Sequence, residues 1–159
     1  MRVGIGYDSH RFAQGRRLIL GGIPIDHEQG LSGHSDADAV AHAVTDALLG
    51  AAGLGDIGAH FPPTDELWRD ADSMQLLHTA AQHAAEHNYQ VVNADVTVIC
   101  ETPRIGTHAR AMAARLAKAL GVDPAFVSVK GKTNEGLGWI GRGEGIAAIA
   151  VVLVDRIEG

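Results

Sequence analysis

Two histidines and a set of carboxylates in this chain are spaced so that they could hold a cation. Asp8 and His10 stand two apart at the end of Arg2-Val3-Gly4-Ile5-Gly6-Tyr7-Asp8. That stretch alternates larger and smaller side chains and predicts a strand, with glycine where another backbone or a ligand comes close. If the strand persists, Asp8 and His10 point to the same side. Asp38, His42 and Asp46 recur every four residues, so in a helix they stack on one face, a turn apart. Asp8, His10 and His42 together offer one carboxylate and two imidazoles. Three protein ligands with a fourth position open describe a catalytic zinc site; the same set is also a facial triad for non-haem iron, so ligand type alone does not choose the metal. The competing reading is a polar face on an ordinary surface helix, since a chain with nine histidines produces such spacings by coincidence.

The elements that must carry these residues are legible in part. Ser35 followed by Asp38 has the form of a capping box, and the alanine-rich run after it predicts a helix from about Asp36 to Gly50. Its first-turn amides, near Ser35 and Asp36, would then face outward where an anion can sit. Leu18-Ile19-Leu20, Gly21-Gly22 and Ile23-Pro24-Ile25 predict a hairpin whose turn needs the positive φ of glycine, with Pro24 at a sheet edge. The stretch from Gly53 to Gly58 is too glycine-rich to continue a helix, and Phe61-Pro62-Pro63-Thr64-Asp65 is a rigid loop suited to wall a ligand. Ser73 opens a second helix to about His87, with Asn88 as its stop. Val91 to Cys100 predicts a strand with Val96, Val98 and Cys100 on one face. The turn after it, Glu101 to Gly106, lies where ligands of open α/β sheets collect, and a helix from about Thr107 to Leu120 follows, stopping at Gly121. Strands over Val127 to Lys132 and Ile146 to Val154 complete the set.

This mixture predicts an α+β fold: one domain over residues 1–159, with a mixed β-sheet covered by helices on one face. The other face, carrying Val, Ile and Trp139 side chains, would be exposed in a monomer, which predicts self-association in a closed ring. The formal charge of −6 argues against a nucleic-acid partner, which needs a basic footprint. No apolar run approaches the length of a membrane span, and the beginning of the chain lacks the pattern of a signal peptide, so the cytoplasm is the expected compartment. The single cysteine, Cys100, fits a reducing environment. His83-Ala84-Ala85-Glu86-His87 matches the His-x-x-Glu-His pattern of one class of zinc peptidases, but these side chains lie opposite the apolar stripe of their helix and read as solvent-facing.

Asp8-x-His10, His34-Ser35-Asp36-x-Asp38, His42, Gly55-Asp56-Ile57-Gly58, Phe61-Pro62, Lys132-Thr133-x-Glu135 and Gly141-Arg142-Gly143-Glu144-Gly145 together resemble the 2-C-methyl-D-erythritol 2,4-cyclodiphosphate synthase family, nearly end to end. The resemblance implies a cytosolic enzyme of the non-mevalonate isoprenoid pathway. It implies a ferredoxin-like homotrimer with active sites between subunits, a cytidine diphosphate-linked substrate, and release of CMP. It implies Zn2+ on Asp8, His10 and His42, and Mg2+ or Mn2+ on the substrate diphosphate with help from Glu135. His34 and Thr133 match positions that stabilise the transition state. The backbone of Ser35 would serve as an anion donor, Asp56 and Gly58 match the erythritol contacts, and Ile57, Phe61 and Asp65 join them as substrate-binding positions. Cys100, Pro103, Arg104, Ile105, Gly106 and Lys132 match the cytidine pocket. Trp139 and Tyr7 stand where phenylalanine is expected. Arg142 and Glu144 resemble residues facing the trimer axis, where an isoprenoid diphosphate could sit or the pair could form a subunit salt link. Asp46 could orient His42 or touch the substrate.

Such a chemistry needs no Ser or Cys nucleophile, because the substrate's own 2-phosphate attacks; the protein's work is alignment and charge stabilisation. The rivals are another metal enzyme on the same three residues, a phosphoesterase or an iron oxygenase, and a non-catalytic nucleotide-binding trimer.

Overall fold

The computed structural model describes residues 1–157, so the last two residues of the expected 1–159 domain lie outside the described residues. Its spine is β1 (Arg2–Ala13), which continues well past the predicted end at Asp8. β1 pairs antiparallel with β7 (Gly145–Arg156) from Arg2↔Val154 to Arg11↔Gly145. β7 pairs antiparallel with β5 (Tyr89–Ile99), and β5 pairs in parallel with β6 (Val127–Lys132). With the short β4 (Gly30–Leu31) at the far edge, the five-stranded order is β4-β1-β7-β5-β6, a mixed sheet as the sequence predicts. β2 (Leu18–Leu20) and β3 (Ile23–Ile25) form the predicted hairpin around Gly21 and Gly22, both at positive φ, as a separate two-stranded sheet.

Three longer helices, α1 (Ala39–Ala52), α3 (Ser73–Glu86) and α4 (Ala109–Leu120), enclose one core with one face of the sheet, where Ile146, Ala148, Ala150, Val152, Val96 and Val98 are all buried. Two short helices, α2 (Ile57–His60) and α5 (Gly138–Gly141), lie in the loops. α1 packs directly on β1, and glycine makes that possible. A Cβ on Gly4 would stand 2.0 Å from the Ala47 carbonyl oxygen, and one on Gly6 1.9 Å from that of Ala43. Small residues on both elements therefore bring the helix backbone against the strand, which sets how far His42 stands from Asp8 and His10.

The start of α1 differs from the prediction. Ser35 and Asp36 precede the helix, and Asp38 is its N-cap, accepting from the amides of Val40 and Ala41 at 3.1 and 3.0 Å. The same carboxylate accepts from Gly21 and Gly22 in the hairpin turn at 2.8 and 2.7 Å. Asp38 is fully buried, its carboxylate is taken up by these four amides, and it does not join the group of potential metal ligands. The amides near Ser35 and Asp36, expected to form an outward cradle, are paired instead: Asp36 donates to the Ala71 carbonyl at 3.1 Å, Ala37 to Ser35 Oγ at 3.3 Å and Asp38 to Asp36 Oδ1 at 3.1 Å. Burial pushes the Asp38 carboxyl up to about 6, opposed by the amides of Ala41, Gly22 and Gly21 and reinforced by the charge of Asp36.

On the opposite sheet face Val3, Ile5, Tyr7 and Val151 are exposed, Val3 by 66% and Ile5 by 72%. Ile5 pairs with Val151 and Tyr7 with Ile149, so the exposed side chains form a continuous apolar ladder. Trp139, expected to add to it, sits on α5 and is half-buried. Among the described residues no helix is long and apolar enough to cross a membrane.

Candidate active site

β1 presents Asp8 and His10 on its helix-covered side, and α1 brings His42 over them. The Asp8 Oδ2 lies 2.8 Å from His10 Nε2 and 3.0 Å from His42 Nδ1, while the two ring nitrogens are 3.3 Å apart. This is the one group of three or more potential metal ligands that converges among the described residues. The spacing fits a divalent ion: ligands at the usual zinc bond lengths in a tetrahedral shell stand about 3.3 Å apart, so small outward shifts would admit one. Burial alone would raise the Asp8 carboxyl, but hydrogen bonds from His10 and His42, and their charge, hold it down at about 2. Burial likewise opposes the charged form of His10, and Asp8 with the Ser32 carbonyl overcomes it and raises the imidazole.

The outer nitrogens of both rings are tied down, which aims the inner ones. His10 Nδ1 donates to the Ser32 carbonyl at 2.6 Å, which aims Nε2 at Asp8. His42 Nε2 lies 2.8 Å from Ser73 Oγ and 3.1 Å from Ser35 Oγ. Ser73 Oγ in turn donates to the Asp36 carboxylate, so it accepts from His42 Nε2, and Nδ1 is turned toward Asp8. Asp46 takes no part in this chain of bonds: its carboxylate accepts the Ile57 amide at 2.7 Å at the start of α2, and Ser73 replaces it as the partner that orients His42. Burial, with the charges of Asp56 and Asp8, raises the Asp46 carboxyl, against the pull of the Ile57 amide.

A cleft of about 220 Å³ opens from these histidines, walled by His34, Ser35, Ile57, Gly58, Phe61 and Trp68. Its rim residues are used structurally. Asp56 caps α2 through the Ala59 amide, and Asp65 caps the turn Glu66–Trp68 through Leu67 while its carbonyl meets His34 Nε2 at 3.1 Å. A second cleft of about 410 Å³ lies at the ends of β5 and β6, lined by Cys100, Pro103, Arg104, Ile105, Gly106, Lys132 and Thr133. The structure thus gathers the residues matched to the cytidine pocket around one cavity. Burial, with Glu101 nearby, pushes the Cys100 thiol up to about 11. Glu135 lies outside the Asp8 group and is 3.2 Å from Thr133 Oγ1, beside the second cleft. Arg142 pairs with Glu144 of the same chain at 2.6 Å, on the exposed surface.

Sequence reasoning passed over several residues that shape the site. Ser73 reads only as a helix opener, and its link to His42 depends on α3 meeting α1. Arg16 donates to the carbonyls of Gly33 at 2.9 Å and Ser35 at 2.6 Å and so fixes the loop bearing His34. Glu101 accepts from the amides of Asn134 and Gly136 at 2.9 and 3.3 Å, tying the loops on two sides of the second cleft together. Of the His-x-x-Glu-His pattern, Glu86 and His87 are exposed as predicted, whereas His83 is half-buried beside His60, their ring centroids 5.4 Å apart.

The YgbB family matches residues 1–155 of the chain. Over 157 residues the chain is 57% identical to a 2-C-methyl-D-erythritol 2,4-cyclodiphosphate synthase of Neisseria gonorrhoeae, covering 99% of this chain and 98% of that one. Its fold matches that of the bifunctional IspDF of Campylobacter jejuni with a TM-score of 0.95 at 40% identity, over 99% of this chain and 42% of the larger enzyme. It also matches the CDP complex of IspF from Plasmodium falciparum with a TM-score of 0.86 at 33% identity, over 99% and 97% of the two chains.

Proposed function

From its membership of the YgbB family, to which the chain belongs, we infer that it is a 2-C-methyl-D-erythritol 2,4-cyclodiphosphate synthase, a cyclising lyase of isoprenoid biosynthesis. It converts 4-diphosphocytidyl-2-C-methyl-D-erythritol 2-phosphate to the cyclic diphosphate and CMP. An oxygen of the 2-phosphate forms a bond to the β-phosphorus, and the bond from that phosphorus to the bridging oxygen breaks, so CMP leaves with the bridging oxygen and its electron pair. The observation that carries the reading is the convergence of Asp8, His10 and His42 at the mouth of the cleft walled by His34, Ser35, Ile57 and Gly58.

In this reading Asp8, His10 and His42 hold Zn2+, and Glu135 helps hold Mg2+ or Mn2+. Cations bound there would neutralise the two phosphate groups and polarise the bond to the leaving group. The protein's residues align the reactants. Cys100, Pro103, Arg104, Ile105, Gly106 and Lys132 seat the cytidine, with Lys132 adding charge toward its phosphates. Asp56, Ile57, Gly58, Phe61 and Asp65 enclose the erythritol. His34 and Thr133 donate to oxygens on which charge grows in the transition state, and Ser35 supplies a further donor. Asp46, with its raised carboxyl near the same cleft, is left for contact with the substrate.

The two clefts lie on different parts of one chain, and the exposed ladder of Val3, Ile5, Tyr7 and Val151 needs a cover. Both features support one ferredoxin-like domain per subunit in a homotrimer, with each active site formed from the metal cleft of one subunit and the cytidine cleft of its neighbour. Trp139, Tyr7 and Arg142 then stand toward the axis, where an isoprenoid diphosphate would meet Arg142 once its pairing with Glu144 opens. The acidic chain with a single buried thiol suits the cytoplasm. Incubation with the cytidylyl substrate, Zn2+ and Mg2+ tests the reading: CMP and cyclic diphosphate in equal amounts support it, and inorganic phosphate or unchanged substrate refutes it.

A further inference from the structure

One imidazole outside the metal cleft touches both the strand that carries the metal ligands and the turn that walls the second cleft. His27 follows β3, and its ring stacks on Phe12 with centroids 4.9 Å apart and planes 18° from parallel. Phe12 lies on β1 two residues beyond His10, hence on the same side of the strand. The far edge of the His27 ring reaches across 75 residues of sequence: Nε2 lies 3.3 Å from Thr102 Oγ1, in the turn immediately before Pro103. The near nitrogen, Nδ1, is held by Gln29, 2.8 Å from its carbonyl oxygen and 3.2 Å from its amide. Either neutral tautomer keeps the Thr102 contact, because a hydroxyl both donates and accepts. A ring fixed on two sides is thus a strut between β1 and the Thr102–Pro103 turn.

The rest of that turn is braced from the other direction. The Cys100 amide donates to the Lys132 carbonyl at 3.0 Å, its Sγ donates to the Pro103 carbonyl at 3.4 Å, and Glu101 accepts from the Asn134 amide. These contacts tie the turn to β6 and the loop after it, and His27 is what ties Thr102 back toward β1. We propose that His27 is a positioning residue for nucleotide binding: by holding Thr102 it sets its neighbours Glu101 and Pro103, which line the second cleft, against the Phe12 end of the metal-bearing strand. The proposal rests on the reading of that cleft as the cytidine pocket. His27 touches no reacting atom in this scheme; it acts through Thr102. Its effect falls on affinity for the nucleotide and leaves the Asp8, His10 and His42 site intact.

The test is calorimetric titration of the zinc-loaded protein with CDP, comparing wild type, His27→Ala, Thr102→Val and the double variant, with zinc content and substrate kinetics measured alongside. One lost hydrogen bond predicts about a fivefold rise in Kd for each single variant. Because the two residues act as one unit, the double variant loses no more than the worse single. KM rises by a similar factor while kcat and zinc content stay at wild-type values. Unchanged CDP affinity in both single variants, additive losses in the double, or zinc lost in parallel with CDP would each overturn the proposal. Thr102→Val, which only removes an exposed hydroxyl, keeps the test open should His27→Ala misfold. A wild-type protein that binds no CDP would instead defeat the reading of the cleft on which the proposal stands.

Discussion

The same substitution, glycine to alanine, should have opposite effects at Gly6 and Gly50, and the difference follows from the packing that builds the metal site. At Gly6 the new Cβ would lie 1.9 Å from the Ala43 carbonyl oxygen and 2.7 Å from the Ala47 nitrogen, both backbone atoms. A carbon and an oxygen need roughly 3.2 Å, so α1 would have to retreat from β1 by about 1 Å, and overpacking of this kind costs about 3 kcal/mol. His42 adjoins Ala43 and would be carried with it. Its Nδ1 is 3.0 Å from Asp8 Oδ2, and metal sites tolerate only about ±0.2 Å in their bonds, so zinc should be lost as well. Gly50 lies on the exposed side of the same helix with no neighbour within 4 Å of a built Cβ, so alanine there should stabilise the protein by about 1 kcal/mol. Urea denaturation with zinc analysis of the two variants reads both effects. A Gly6→Ala protein within about 0.5 kcal/mol of wild type, carrying one zinc per chain, would refute the packing argument.

Ser73→Ala removes the hydroxyl that fixes the His42 tautomer and should weaken zinc binding by about tenfold, measured by competition with a chelator, with little change in fold. Asp38→Ala leaves four amides of the helix start and the hairpin turn without their acceptor and should cost about 3 kcal/mol in denaturant, yet the folded protein should keep its zinc because Asp38 is not a ligand. Cys100, with its thiol pushed up to about 11, should resist alkylation. At pH 8 about 0.1% of it is thiolate, so iodoacetamide should react about a hundredfold more slowly than with free cysteine, and the rate should climb through pH 10 as the thiol ionises.

The parts of this fold governed by local pattern are the parts the sequence reveals. Alternation in Val91 to Cys100 gives β5 and its buried face, Gly21-Gly22 gives the hairpin, and the glycines at positions 4 and 6 mark the close approach of α1. Asp8 and His10 land together because strand periodicity is short-range. The errors arise where a long-range contact outweighs a local signal. Ser35 and Asp38 look like a capping box, but Asp38 is captured by the hairpin amides 16 and 17 residues earlier and becomes the cap itself. Asp46 has the right helical spacing to support His42, yet α2 supplies an amide for it, and the hydroxyl that does support His42 comes from Ser73 on another helix. The stack of His27 on Phe12 has no counterpart in any spacing rule. Strand pairing and helix docking create these contacts, and neither is written in a window of a dozen residues.

Anomalous diffraction at the zinc absorption edge, from crystals of the purified protein, tests the central claim most directly. One peak per chain is expected within about 2.0–2.2 Å of Asp8, His10 and His42 together, absent from the His42→Ala protein. A peak elsewhere, or a wild-type protein that forms the cyclic diphosphate with no metal between those three side chains, would contradict it.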